Sequence, residues 1–424
     1  MNCGLFLYIL FLLNWEKTFG GNGFDEGKDV KECFDGGYII VGSTSSFGQG
    51  LFDVYLIRTD ENGETLWTKT YGGQSNDRGY SILQTRDSGY IIVGNTQSFG
   101  NGSSDVWIIR LNKNGELVWS RTYGGTYADG GLYITKTSDS CYVISGYTKS
   151  FSNNLDADLY LLKIDENGNL LWERNYGLRG FGLDEFGYCV KETHDNELIV
   201  VGYGRFPYGH GVEDVRVLKT NSEGETLWTK IFGGELADYG YSVLVDNNNF
   251  LFAGYTGSFA WNVYLIKTDN NGNLVFERSY GGTGYDVSYS IIKSFNNNYL
   301  LVGSTESFGS GANDIYLLEV DENGNIVWTR TFGGTSEDIG YSVIKTNDSC
   351  YLIVGYTLSY SSSVDVYLIK FSYSSALKEN KKEFKNIKKV YNILGQPVHI
   401  ETNKIPSGIY FSLEENKVRI FKRR

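Results

Sequence analysis

The stretch Trp67–Ile82 reads WTKTYGGQSNDRGYSI. Fifty-two residues on, from Trp119, the chain reads WSRTYGGTYADGGLYI, and from Trp328 it reads WTRTFGGTSEDIGYSV. Self-similarity at a fixed period constrains a fold more than any composition does, because each unit is one piece of supersecondary structure that buries its apolar faces only against its neighbours. It overrides the two or three independent domains that 424 residues would otherwise suggest. Aligned on Gly-Gly-x-x-x-Asp, the repeat aspartate recurs at Asp25, Asp77, Asp129, Asp238, Asp286 and Asp338. An altered copy, YGLRGFGLDEFGY, supplies Asp184 as the seventh. Asp25 to Asp338 is 313 residues in six intervals, about 52 per repeat, the size of one four-stranded propeller blade.

Each repeat holds four strand-like runs. In the second they are GYSILQT (a), GYIIVGNT (b), DVWIIRL (c) and ELVWSRTY (d). Runs such as Ile91–Val93 are apolar without alternation, which fits strands covered on both faces. Most c–d turns carry Asn-Gly, as at Asn62-Gly63 and Asn323-Gly324, and this predicts type I′ hairpins with two positive-φ residues. The last repeat stops after strand c, while the chain opens with an orphan strand d, LNWEKTF. The phase therefore predicts an all-β fold, a seven-bladed β-propeller over 12–371, closed by pairing of the N-terminal strand with Val366–Phe371. Closure removes the open edges that a sheet would otherwise expose.

The repeat aspartates occur in every blade, so they are expected to serve the scaffold by accepting backbone N–H bonds where the d–a loop turns. A second recurring set at the start of strand c (Asp53, Asp105, Asp158, Asp214, Asp314, Asp365) is read the same way. Nothing in the pattern requires a metal or a cofactor. From Phe371 onward there are 12 Lys and Arg against 5 Asp and Glu, leaving 26 against 45 in the rest, so the tail carries +7 and the body −19. So acidic a body argues against nucleic acid as partner. The five cysteines show no pairing logic and no C-x-x-C.

The stretch WTKTYGG, Asp77 and the strand GYIIVGNT resemble the repeat of the seven-bladed bacterial β-propeller repeat proteins. The likeness covers residues 12–371; it implies the fold and leaves the ligand open.

After Phe371 the repeat ends. Residues 372–389 are polar and Lys-rich, a linker. Residues 390–424 contain VYNILGQPV, then PSGIYF, then a final β run ending FKRR. In that order they resemble a type A sorting domain of the type IX secretion system, a small β-sandwich-like module. The resemblance implies export through that machinery by way of the periplasm, removal of the tail, and a secreted or outer-surface protein. It also implies a leader. LFLYILFLL (Leu5–Leu13) has h-region length, lacks a preceding Lys or Arg and is too short to span a bilayer as a helix, so residues 1–11 are read as a truncated leader, or part of the run as a strand of the fold. A monomer without a transmembrane segment is expected.

A ligand site requires residues that break the repeat. Blade 4 breaks it twice. Its d–a loop adds Arg179, Phe181 and Glu185, and its b–c loop replaces the usual T-x-S-F-G with Arg205, Phe206, Tyr208 and His210. Blade 5 has a shortened b–c loop carrying Trp261. In a propeller these loops share one face, and flat aromatic rings beside fixed polar groups suit a glycan or peptide. No nucleophile elbow, metal-ligand spacing or phosphate loop is present, so the expectation is a non-catalytic binding protein for an extracellular glycan, peptide or surface protein. The alternatives are an extracellular hydrolase or lyase at the same blades, and a structural surface protein.

Overall fold

The computed structural model describes residues 9–152, 155–177, 184–205 and 211–375, and in the tail 390–392, 397–398, 408–414 and 417–423. Every regular element among them is a β-strand. Seven four-stranded sheets form the propeller. Six take their strands in the simple order a-b-c-d, with blade 1 spanning 25–71, blade 2 77–123, blade 3 129–175, blade 4 185–232, blade 5 238–280 and blade 6 286–332. Blade 7 is completed by the N-terminus: Ile9–Phe19 lies beside Asp365–Ser375, followed inward by Tyr351–Thr357 and Asp338–Lys345. The ring thus closes as the orphan strand required. Tyr367 donates to Glu16 across this junction at 2.7 Å. The strand starts at Ile9, so the last residues of the stretch read as a leader belong to it.

The core is a set of inter-blade layers rather than one centre. Strands b and c are buried along their whole length in blade 1, Tyr38–Thr44 and Asp53–Thr59, because a and d flank them within the sheet and neighbouring blades cover both faces. One layer joins Ile39, Val41 and Leu56 of blade 1 to Ile82, Ile92 and Ile109 of blade 2. The layer that closes the ring joins Val30 and Ile40 of blade 1 to Leu352, Val354 and Leu368 of blade 7.

The repeated W-x-x-x-Y is a latch between blades. Trp67 on outer strand d of blade 1 reaches the ring of Tyr90 in blade 2, with centroids 6.3 Å apart. Tyr71, four residues on, donates its hydroxyl to the carbonyl of Gly115 in the c–d turn of blade 2 at 2.5 Å. Tyr123, Tyr176 and Tyr280 repeat the bond to Gly168, Gly224 and Gly324. Gly115 has φ 72°, and a Cβ there would lie 2.8 Å from the Trp67 ring, so both backbone and neighbour demand glycine.

These c–d turns correct one expectation. Only the glycine has positive φ; Asn62 and its counterparts do not. Gly63 donates to Asp60 O at 3.2 Å, Asp60 donates to Glu64 O at 2.9 Å, and the ladder shifts register at Arg58/Thr59. That is a tight turn closed by a glycine bulge, not a type I′ turn. The Asp60 carboxylate decides it by accepting the amides of Asn62 (2.9 Å) and Glu64 (2.8 Å), which holds the preceding residues in the right-handed region.

The second constant is a clasp around the repeat aspartate. Asp77 is fully buried. It accepts the amide of Gly73 at 2.8 Å, the Ser98 hydroxyl at 2.6 Å, and the Thr96 hydroxyl. The same partners surround Asp25, Asp129 and Asp286. Gly-Gly, Asp and Thr-x-Ser are therefore one structure tying the d–a loop to the b–c loop. Blade 4 departs from it. Glu185, not Asp184, stands in register, opposite Gly204 where other blades have Thr. The fully buried Glu185 is paired with Arg216, which occupies a strand c position held by an aromatic in blades 1–3 and 5–7. Asp184 lies one residue earlier, half exposed, and accepts the Ala157 amide at 2.7 Å. The longer Glu side chain reaches a cation in place of the missing Thr-x-Ser hydroxyls.

In the second unit, the strands Val390–Asn392, Pro397–Val398, Gly408–Glu414 and Lys417–Arg423 form a four-stranded sheet. The expected linker 372–389 begins later than the sequence suggested, because residues 372–375 continue the strand Asp365–Ser375; its remainder, 376–389, and residues 1–8 lie outside the described residues.

Asp77→Ala orphans one amide and two hydroxyls in a buried clasp, and each orphan costs about 1–3 kcal/mol. Urea unfolding should show a loss of about 2–4 kcal/mol, whereas Asp35→Ala, whose exposed carboxylate sits at a turn, should cost well under half of that.

Candidate ligand site at the mouth of the axial channel

Strand a is innermost, and its first residues surround the axial opening on the face where the d–a and b–c loops emerge. Reading its second residue round the ring gives Glu26, Arg78, Gly130, Phe186, Tyr239, Val287 and Ile339. The cross-strand partners on strand b are Ser43, Asn95, Tyr147, Tyr203, Tyr255, Ser304 and Tyr356. The opening is thus divided. Blades 3–5 present aromatic rings, and blades 1–2 present charge.

On the aromatic side Phe186 and Tyr203 stack at 5.2 Å and 18°. Tyr203 meets Tyr239 edge-on at 4.4 Å, and Tyr239 continues to Tyr255 at 5.9 Å. Tyr255 leads to Trp261 at 5.9 Å, and Trp261 to Tyr285 at 5.0 Å. Trp261 and Tyr285 are 37% and 48% exposed, so the array ends in solvent-facing rings. Ala260 and Trp261 have φ of 68° and 63°, a left-handed pair without glycine, which costs backbone strain. The shortened loop imposes it: Gly257 must bond Ala237 O and Trp261 must give its carbonyl to Asp286 within five residues.

On the charged side Glu26 holds Lys28 at 2.8 Å and Arg78 at 3.4 Å. Each cation also rests on a ring, Lys28 on Tyr341 at 3.5 Å and Arg78 on Phe52 at 3.9 Å.

Of the residues picked out in the sequence, Arg205 and Trp261 are described, and the structure links them. Arg205 donates to Glu213 at 3.2 Å, Glu213 accepts the Tyr239 hydroxyl at 2.5 Å, and Tyr239 leads through Tyr255 to Trp261. Arg179, Phe181, Phe206, Tyr208 and His210 lie outside the described residues. Glu213, Phe186, Tyr203, Tyr239, Tyr255 and the charged trio of blades 1–2 were missed. The signal was present: comparing one strand position across seven copies exposes them, whereas loop length alone does not.

No family model matches the sequence, and no curated protein matches it. Solved structures do. The Pan2 WD40 domain of Neurospora crassa is 10% identical over 87% of this chain and 96% of that one, with a TM-score of 0.53. BBS1N, solved in complex with ARL6DN, is 9% identical over 85% and 96%, with a TM-score of 0.51. The periplasmic gluconolactonase PpgL of Pseudomonas aeruginosa is 12% identical over 75% and 91%, with a TM-score of 0.48. At such identity the first two likenesses show the propeller fold alone.

Beneath the mouth, strand a carries a bulge in every blade, with the register skipping a residue between Gly79 and Ser81 in blade 2 and likewise elsewhere. A bulge re-aims the extra side chain. Five blades place tyrosine there, and Tyr188, Tyr241, Tyr289 and Tyr341 follow one another at 5.0–5.2 Å, forming a collar. Burial raises the phenol pKa of these tyrosines and pushes that of Tyr80 up to about 12. The fold therefore favours the neutral phenol, while the unfolded chain ionises near its ordinary value of about 10. Stability is intact below pH 10 and is lost as pH climbs from 10 through 12. Absorbance titration should show phenolate appearing together with cooperative unfolding in that window rather than before it.

Proposed function

We propose that this chain is a non-catalytic binding propeller that takes an extracellular glycan across the mouth of its channel. The observation that supports this most is the unbroken run of rings from Phe186 to Tyr285, flanked by the Arg205–Glu213 pair. Flat apolar faces suit pyranose rings, and a fixed carboxylate and guanidinium suit their hydroxyls. A peptide or surface protein would engage the same rings through side chains, and an array presenting both classes separates them. The full chain should retain glycans and turn none over; release of reducing ends would favour the hydrolase reading.

Stacking one sugar on Trp261 contributes about 1–2 kcal/mol, so Trp261→Ala and Tyr203→Ala should each weaken binding about tenfold or more in titration calorimetry. Phe99→Ala is the matched control. Phe99 sits on the corresponding rim of blade 2 against Trp107 at 5.2 Å, so it should lower the melting temperature and leave affinity unchanged. Equal affinities for all four proteins would dispose of the site.

We further infer export by the type IX route to the cell surface or medium, on the resemblance of residues 390–424 to its sorting domain. Removing residues 376–424 should leave the protein in the periplasm of its host. Fractionation that still finds it outside would end this reading.

A further inference from the structure

Deeper along the same strands lies a cavity of about 590 Å³, within the range of small-molecule sites. Its wall is seven copies of one strand, so each copy controls for the others. Beyond the collar the fifth residue is serine in blades 2, 5, 6 and 7. The seventh is apolar in blades 2, 5, 6 and 7, as at Leu83 and Ile344. Charge enters this wall in two blades only. Blade 1 places Lys28, Asp29 and Lys31 where blades 2, 5, 6 and 7 have Tyr, Ser and an aliphatic residue, and blade 4 places Lys191.

Lys31 and Lys191 both stand seventh in strand a. Their blades are three steps apart in a ring of seven, so the two ammonium groups enter from opposite walls. Asp29 is committed to the scaffold. It accepts the Ser81 hydroxyl at 3.0 Å and the Ile82 amide at 3.1 Å in blade 2, the Ser342 hydroxyl at 3.1 Å in blade 7, and Lys31 at 2.6 Å. Lys28 is held by Glu26. Lys191 instead donates to the hydroxyl of Tyr133, a phenol whose ionisation is opposed first by burial. Three ammonium groups thus meet two carboxylates, leaving residual positive charge inside a protein of net charge −12. A phenol compensates a half-buried ammonium poorly, and an anion would do so fully.

We propose that the channel is a binding site, separate from the mouth, for a small organic monoanion: a carboxylate on an aromatic or aliphatic body. The carboxylate sits at Lys191 and the Tyr133 hydroxyl, and the body lies against the tyrosine collar and the aliphatic wall. A bare inorganic anion would satisfy the charge and leave the apolar wall unfilled, so it should bind more weakly.

The test titrates the full chain with 4-phenylbutyrate and with 4-phenylbutyramide, its neutral match in shape. The acid should bind at one site and the amide about tenfold or more weaker, because only the acid makes charge-assisted bonds. Lys191→Met should lower the affinity for the acid by a similar factor, and Lys113→Met, which removes an exposed turn lysine, should not change it. Equal binding of acid and amide, wild-type affinity in Lys191→Met, or no binding of the acid at millimolar concentration would each overturn the proposal. Should Lys191→Met fail to fold, the acid–amide comparison on the wild type decides alone.

Discussion

The buried aspartate clasp is the interaction on which the rest of the molecule depends. A propeller has no common centre to hold its blades, so each blade must fix where the chain leaves the outer strand and re-enters at the axis. One carboxylate does this by gathering an amide from the d–a loop and hydroxyls from the b–c loop. Its burial without a cation is tolerated because charge-assisted bonds satisfy it. The Trp–Tyr latch then ties the far end of each blade to its neighbour's turn glycine.

Blade 4 shows what happens when the clasp is given up. Asp becomes Glu, Thr becomes Gly, an aromatic becomes Arg, and the buried Glu185–Arg216 pair takes over. An ion pair of this kind is costly to bury, and removing either partner would leave the other charge uncompensated. Both loops of blade 4 depart from the repeat in sequence, and its Phe186 and Tyr203 lie on the aromatic side of the mouth.

The axis carries a second asymmetry. Blades 1 and 4 supply the charged groups of the inner wall, and blades 3–5 supply the rings of the rim. The strand a bulge converts a residue that would face a neighbouring sheet into one that faces the channel, so seven small irregularities make a collar.

Much of this was legible in the sequence. The period gave the blade number, and the orphan strand d gave closure through the N-terminus. Fixed spacing suffices for these because blades repeat one hydrogen-bonding register. The aspartate of blade 4 was misplaced by one residue, since alignment followed residue type and only the ladder shows that Glu185 is opposite Gly204. The turn type was missed because Asp60 captures amides that a dipeptide rule ignores. The mouth and the channel were missed for a different reason. Comparing strand a across the seven copies shows that Glu26, Tyr239 and Lys191 break the pattern, and the closed ring shows that they face one axis. The sequence by itself determined the repeat and therefore the ring. Tertiary structure alone decided which seven positions, one from each copy, meet at the axis, because ring closure and the strand a bulge, not chain distance, bring them together.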